Sequence, residues 1–249
     1  MLLKSLKYIL IESQIFVAMM ATALSLFFLL NFNALNYIKL GVIGLLYLNG
    51  YLYTKFQNHS NLFYKIITFN VISLVISILI IIYLLSSYFL FSYFVIILLG
   101  VLYNSKFLTH YTRNIPLMKI FYVGFCWALI NTGLLLETWH WQVFFITWCY
   151  ISALIIPFDI RDIRHDSILT FPRYCGISKS KLLAYSLLAI SSLLVLFAFN
   201  SVAFFAFQIA IVIAFLFIFY AQEHRSDWYF SLGVESCVGL PLLFFVLLK

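Results

Sequence analysis

Nine stretches of this chain are long and apolar enough to cross hydrocarbon, and that pattern restricts the fold more than any other feature. They run approximately Gln14 to Leu30, Leu35 to Tyr53, Leu62 to Leu85, Tyr88 to Tyr103, Leu117 to Leu136, Trp141 to Phe158, Lys181 to Phe199, Val202 to Tyr220 and Trp228 to Leu248. A bilayer core of about 30 Å takes roughly 17–25 residues of helix. In lipid the backbone must satisfy its own N–H and C=O groups, so the runs predict helices. Of the 249 residues 65% are hydrophobic and 9% charged, whereas soluble domains carry about 25% charged residues. A soluble enzyme and a disordered chain are both excluded. The expected fold is all-α, a polytopic membrane bundle of nine transmembrane helices forming one domain over residues 1–249.

The formal charge of +7 does not point to nucleic acid, because its distribution follows the topology. Lys4 and Lys7 precede the first run, and the connections after runs two, four, six and eight hold Lys55, Lys65, Lys106, Arg113, Lys119, Arg161, Arg164, Arg173, Lys179, Lys181 and Arg225. Only Lys39 and Lys249 fall on the other side. This positive-inside bias puts the N-terminus and the even-numbered connections in the cytoplasm, with the protein in the cell inner membrane as a multi-pass chain. No basic run with interleaved aromatics stands apart from a membrane loop.

Cys126, Cys149, Cys175 and Cys237 form no CxxC pair and read as small apolar fillers. Ala21 to Ala23 imitates a signal-peptidase site, but the apolar run continues to Leu30 and eight more follow, so a retained first span is expected. The connections predicted to be external are short and nearly uncharged, so chemistry is expected at the cytoplasmic face. The similar loops recur at an offset of four helices, which hints at two four-helix repeats after a first helix.

The sharpest local feature is PFDIRDIRHDSILTFPRYCG, Pro157 to Gly176. Three of the eight acidic residues, Asp159, Asp162 and Asp166, fall within eight positions there. On a helix continuing through this stretch, that spacing places the three on one face, and Pro157 would kink the helix just before them. Clustered carboxylates repel unless a cation intervenes. A hard divalent ion, Mg²⁺ holding a phosphate-bearing substrate, is one reading. The other is a solvated helix end of mixed Asp and Arg pairs with Arg161, Arg164 and His165.

Nine spans, an Asp-rich segment closing the sixth, Thr170 and Pro172 after it and Gly176 beyond resemble the UbiA-type intramembrane prenyltransferases. Asp159, Asp162 and Asp166 match that family's second Asp-rich motif, and Tyr103, Lys106, Arg113, Pro116 and Lys119 match its Tyr, Arg, Pro and Lys pattern after span four. The resemblance implies Mg²⁺ held by Asp159, Asp162 and Asp166 as catalytic residues. It also implies a polyprenyl diphosphate in a cavity opening toward the cytoplasmic boundary, and transfer of the prenyl group to a lipophilic, aromatic acceptor. Lys106, Arg113, Lys119, Arg161 and Arg164 would neutralise the diphosphate.

The family's first motif, Asn-Asp-x-x-Asp-x-x-x-Asp, is here Asn49 to Gln57, with Gly50, Tyr53 and Gln57 in place of the aspartates. Asn49, Tyr53 and Gln57 are the substrate-side groups that remain. Three readings follow: catalysis with one metal and neutral ligands, a carboxylate borrowed from Glu12, Glu223 or Asp227, or a retained isoprenoid or lipid pocket without turnover. A small transporter is a third class, disfavoured by the scarcity of charge outside. Ala221 to Tyr229 reads most simply as a charged turn with an aromatic belt. Glu235 lies inside the ninth run and is expected to have a partner or a cavity. Asn70, Asn131 and Gln208 are expected to bond between helices. No P-loop, GxGxxG or GxSxG pattern occurs.

Overall fold

The computed structural model describes residues 13–57, 60–104, 118–164 and 169–249. Among them there is helix and no strand. The elements are α1 (Ile15–Asn31), α2 (Tyr37–Phe56), α3 (Ser60–Leu84), α4 (Ser87–Asn104), α5 (Met118–Leu129) and α6 (Trp141–Arg161), followed by the short α7 (Phe171–Cys175), then α8 (Ile177–Ala198), α9 (Ser201–Tyr220) and α10 (Glu235–Leu247). A π turn, Ile130–Leu134, extends α5, and a second, Tyr229–Val234, leads into α10.

Several ends are set by local chemistry. The Asn36 side chain accepts from the Ile38 and Lys39 amides at the start of α2, and Asn200 accepts from Ala203 at the start of α9. Gly176, at φ 86°, separates α7 from α8 in a conformation that a Cβ would strain.

Five helical segments are long and apolar enough to cross a membrane: Leu62–Leu84, Trp141–Arg161, Ile177–Ala198, Ser201–Tyr220 and Tyr229–Leu247. Ile15–Asn31, Ser87–Tyr103 and Met118–Leu134 are apolar but shorter. The outer surface is apolar too, with Phe91, Phe197, Val212 and Leu247 all exposed. Such a surface is compatible with a membrane protein and suits hydrocarbon better than water.

Each rod packs on the next, α1 on α2 through α5, then α6, α8, α9 and α10, and α10 returns to α1, so the described rods close a ring. The arc from α6 through α10 is solid. The Phe27 ring stands edge-on to Phe199 and Phe245 at 5.5 and 5.6 Å, and the Tyr150 hydroxyl donates to the Cys237 carbonyl at 2.7 Å. The buried face of α9 carries Ala203, Ala206, Ala210 and Ala214, small residues that let helices approach, while Phe205, Val212 and Phe219 face outward.

The two arcs differ in enclosure: 72% of the most apolar part of α6 is buried against 17% of α3. The arc α2 to α5 has room between its helices.

Candidate functional site

That room is a cavity of about 420 Å³ enclosed by α2, α3, α4 and α5. Its wall runs along α2 from Leu46 to Thr54, along α3 from Ile67 to Leu74, along α4 from Tyr93 to Tyr103 and along α5 from Tyr122 to Ile130. Burial grades along it. Tyr47, Tyr93, Trp127 and Ile130 at one end are buried, whereas Tyr53, Thr54, Tyr103 and Tyr122 at the other are not. The cavity is thus blind at one end and open toward the end of the bundle that carries the Asp-rich segment.

The blind end is held rigidly. Tyr47 and Trp127 pack with ring centroids 4.7 Å apart. The Ser25 hydroxyl donates to Asn131 Oδ1 at 2.8 Å, and Asn131 Nδ2 donates to the Tyr47 hydroxyl at 3.3 Å and the Trp127 carbonyl at 3.0 Å. Asn131 sits in the π turn after α5, the backbone irregularity that turns its amide inward among α1 and α2. The expectation of interhelical bonding holds here and at the other two amides. Asn70 Nδ2 donates to the Asn49 carbonyl at 3.2 Å, and Gln208 exchanges bonds with Ser192 at 2.8 and 3.1 Å.

Toward the open end the wall meets an ionic cluster. Tyr51, on the wall, interacts electrostatically with Glu235, which also feels Arg161 and Lys55. Arg161 donates two bonds to Asp162, at 2.7 and 2.8 Å. Its guanidinium carbon lies 5.5 Å from each of the Phe158 and Phe230 ring centroids. Asp227 acts on the same guanidinium. Tyr103 stacks on Tyr122 at 5.3 Å, and one turn before Tyr122 the Lys119 ammonium pairs with Asp159 at 2.7 Å.

Several sequence expectations change here. α6 does not continue through the Asp-rich segment but ends at Arg161, with Asp162 as its cap, so the one-face arrangement fails. Asp159, in the last turn, is fully buried against Lys119, while Asp162 is turned back by the adjacent fork of Arg161. Pro157 lies inside α6 without ending it. Arg164 pairs with Glu223, so Glu223 is engaged across the α9 end by an arginine. Asn49 and Tyr53 do line the cavity, Asn49 Nδ2 donating to Ser73 at 3.0 Å. Gln57 caps α2. Asp166, Lys106 and Arg113, like Glu12 and Pro116, lie outside the described residues.

Among the described residues no three His, Cys, Asp or Glu side chains are grouped to hold a metal ion. Asp159 and Asp162 belong to two ion pairs, and Asp166, the third carboxylate of the Asp-rich segment, lies outside the described residues. What the arrangement offers is an apolar chamber with aromatic side chains in its wall. At the opposite end of the bundle Lys39 and Glu137 pair at 3.0 Å.

No family model, curated protein or solved structure matches this chain.

Sequence reasoning did not find the Tyr47, Trp127 and Asn131 floor. Its only local signal is an Asn beside Trp and Gly in an apolar run, and the partners Ser25 and Tyr47 are remote in sequence.

Proposed function

We propose that the chain is a nine-span, UbiA-like protein of the cell inner membrane that binds an isoprenoid or related lipid with an anionic head, without metal-dependent turnover. The Asp-rich end faces the cytoplasm in this reading, as the positive-inside bias implies. One observation carries it: an aromatic-walled cavity, whose lining on α2 ends at Thr54 next to Lys55, lies between α2 and α5, while Asp159 and Asp162 are paired with Lys119 and Arg161. Tail burial supplies the apolar driving force, and the positive-inside excess of Lys and Arg at this end favours an anionic head.

Prenyl transfer from a polyprenyl diphosphate to a lipophilic, aromatic acceptor, dependent on Mg²⁺, is the second reading. It is favoured by the position of Asp159, a carboxylate held fully buried at the end of α6 one turn of α5 away from the cavity wall.

The test uses the purified full chain in nanodiscs with a radiolabelled three-unit prenyl diphosphate. Binding that persists in EDTA, with no product from a panel of aromatic acceptors, is the expected result. Mg²⁺-dependent product that disappears in both Asp159→Asn and Asp162→Asn would establish the second reading instead.

A further inference from the structure

Gly50 and Gly100 are glycines inside long helices, α2 and α4, where glycine is unfavourable relative to alanine. Close packing explains Gly124 and Gly239, whereas Gly41, also in α2, meets nothing within 4 Å and lies off the cavity. A Cβ at Gly124 would meet the Trp148 carbonyl at 2.9 Å, and one at Gly239 would meet the Met20 sulfur at 2.7 Å. At Gly50 and Gly100 a Cβ would meet nothing within 4 Å, and both positions line the cavity. No neighbouring helix requires them to be small. Both are exposed, and what their missing side chains preserve is open space along the cavity wall.

The length of that lumen follows from the helices around it. Its wall covers eight residues of α3, nine each of α2 and α5, and eleven of α4, which at 1.5 Å per residue makes it about 10–15 Å deep. Its volume of about 420 Å³ lies toward the small end of the roughly 300–1,000 Å³ common for ligand pockets. With C–C bonds of about 1.5 Å, an extended chain advances ~1.25 Å per bond, so roughly eight to twelve main-chain carbons fit before the floor.

We infer that the cavity selects short apolar tails, of two to three isoprene units, with Tyr47 and Trp127 as the floor that sets the limit and Gly50 and Gly100 keeping the lumen open. This rests on the lipid-binding reading and adds to it the size class of the ligand. The floor can discriminate because it is anchored: the Tyr47 hydroxyl accepts from Asn131, itself bonded to Ser25 on α1, and the Trp127 ring packs on Tyr47 at 4.7 Å. A longer tail must fold back within the lumen or leave part of itself outside, and either forfeits apolar burial.

The experiment is competition against a radiolabelled three-unit prenyl diphosphate in nanodiscs, with unlabelled diphosphates of one, two, three, four and six units. Affinity is expected to climb through three units and then fall at least tenfold by six. Gly100→Leu, at a position where a Cβ meets no neighbour, narrows the lumen and is expected to weaken three-unit binding at least tenfold. Trp127→Ala lowers the floor and is expected to move the optimum to four units. The thermal unfolding midpoint in detergent reports that each variant is folded. Affinity that stays level or rises through six units, or a Gly100→Leu variant that binds every length as the unmodified chain does, overturns the size limit while leaving lipid binding intact. Failure of the unmodified chain to bind any member of the series removes the lipid-binding reading, and the limit with it.

Discussion

The Lys119 ammonium lies 2.7 Å from Asp159 Oδ1, joining the first turn of α5 to the last turn of α6 where Asp159 has no solvent exposure. Two charges brought together at such depth gain from each other, but each has lost hydration, and removing one leaves the other in a poor medium. Lys119→Met and Asp159→Asn are each expected to destabilise the fold by on the order of 3 kcal/mol. The double variant should lose less than the sum of the two. A double-mutant cycle from unfolding in detergent measures this, and simple additivity would refute the coupling.

Arg161 holds Asp162 with two bonds while Phe158 and Phe230 lie near its guanidinium. Lysine keeps the charge but has neither the planar fork nor the face that stacks. Arg161→Lys is therefore expected to cost about 1–2 kcal/mol, from the lost second hydrogen bond and weaker ring contacts. Thermal unfolding in detergent reads the shift, and a variant as stable as the unmodified chain would show that the fork contributes nothing.

Asn131 bonds to Ser25, Tyr47 and the Trp127 carbonyl. Interhelical bonds in membranes average about 0.6 kcal/mol each, with a maximum near 1.7. Asn131→Leu should thus destabilise by roughly 1–2 kcal/mol and also loosen the cavity floor. The second effect is visible as faster quenching of tryptophan fluorescence by an apolar quencher. Unchanged quenching would mean that Trp127 is held by packing alone.

The glycines separate into two classes that alanine can tell apart. At Gly124 a Cβ runs into Ser152 and the Trp148 carbonyl, so Gly124→Ala should push α5 from α6 and cost about 1–3 kcal/mol. At Gly100 nothing obstructs, and Gly100→Ala should stabilise by up to about 1 kcal/mol through helix propensity. Equal losses at both positions would contradict the open lumen.

Much of the helical organisation was legible in the sequence. The run from Trp141 predicts α6, and the runs from Leu62 and Val202 predict α3 and α9 to within a few residues. The run from Trp228 was legible as one segment, but its division into the π turn Tyr229–Val234 and α10 was not, because both have apolar sequences. Of the candidate site, Asn49 and Tyr53 were found on the cavity wall. The partners of Asp159 and Asp162 were not, since they depend on where α6 ends and on how α5 is rotated against it.

The sequence by itself determined that this chain is helical and how its apolar segments are divided, because a backbone among apolar side chains must close its own hydrogen bonds. It also determined where charge can sit, since apolar surroundings penalise it everywhere else. Only the tertiary structure decided which face of each helix looks inward. On α9 the buried and exposed faces are both apolar and differ in size, Ala206 and Ala210 inside against Phe205 and Val212 outside, so hydrophobic periodicity holds no record of the rotation. The cavity, its floor and the ion pairs at its mouth all depend on that rotation, which packing between remote segments selects.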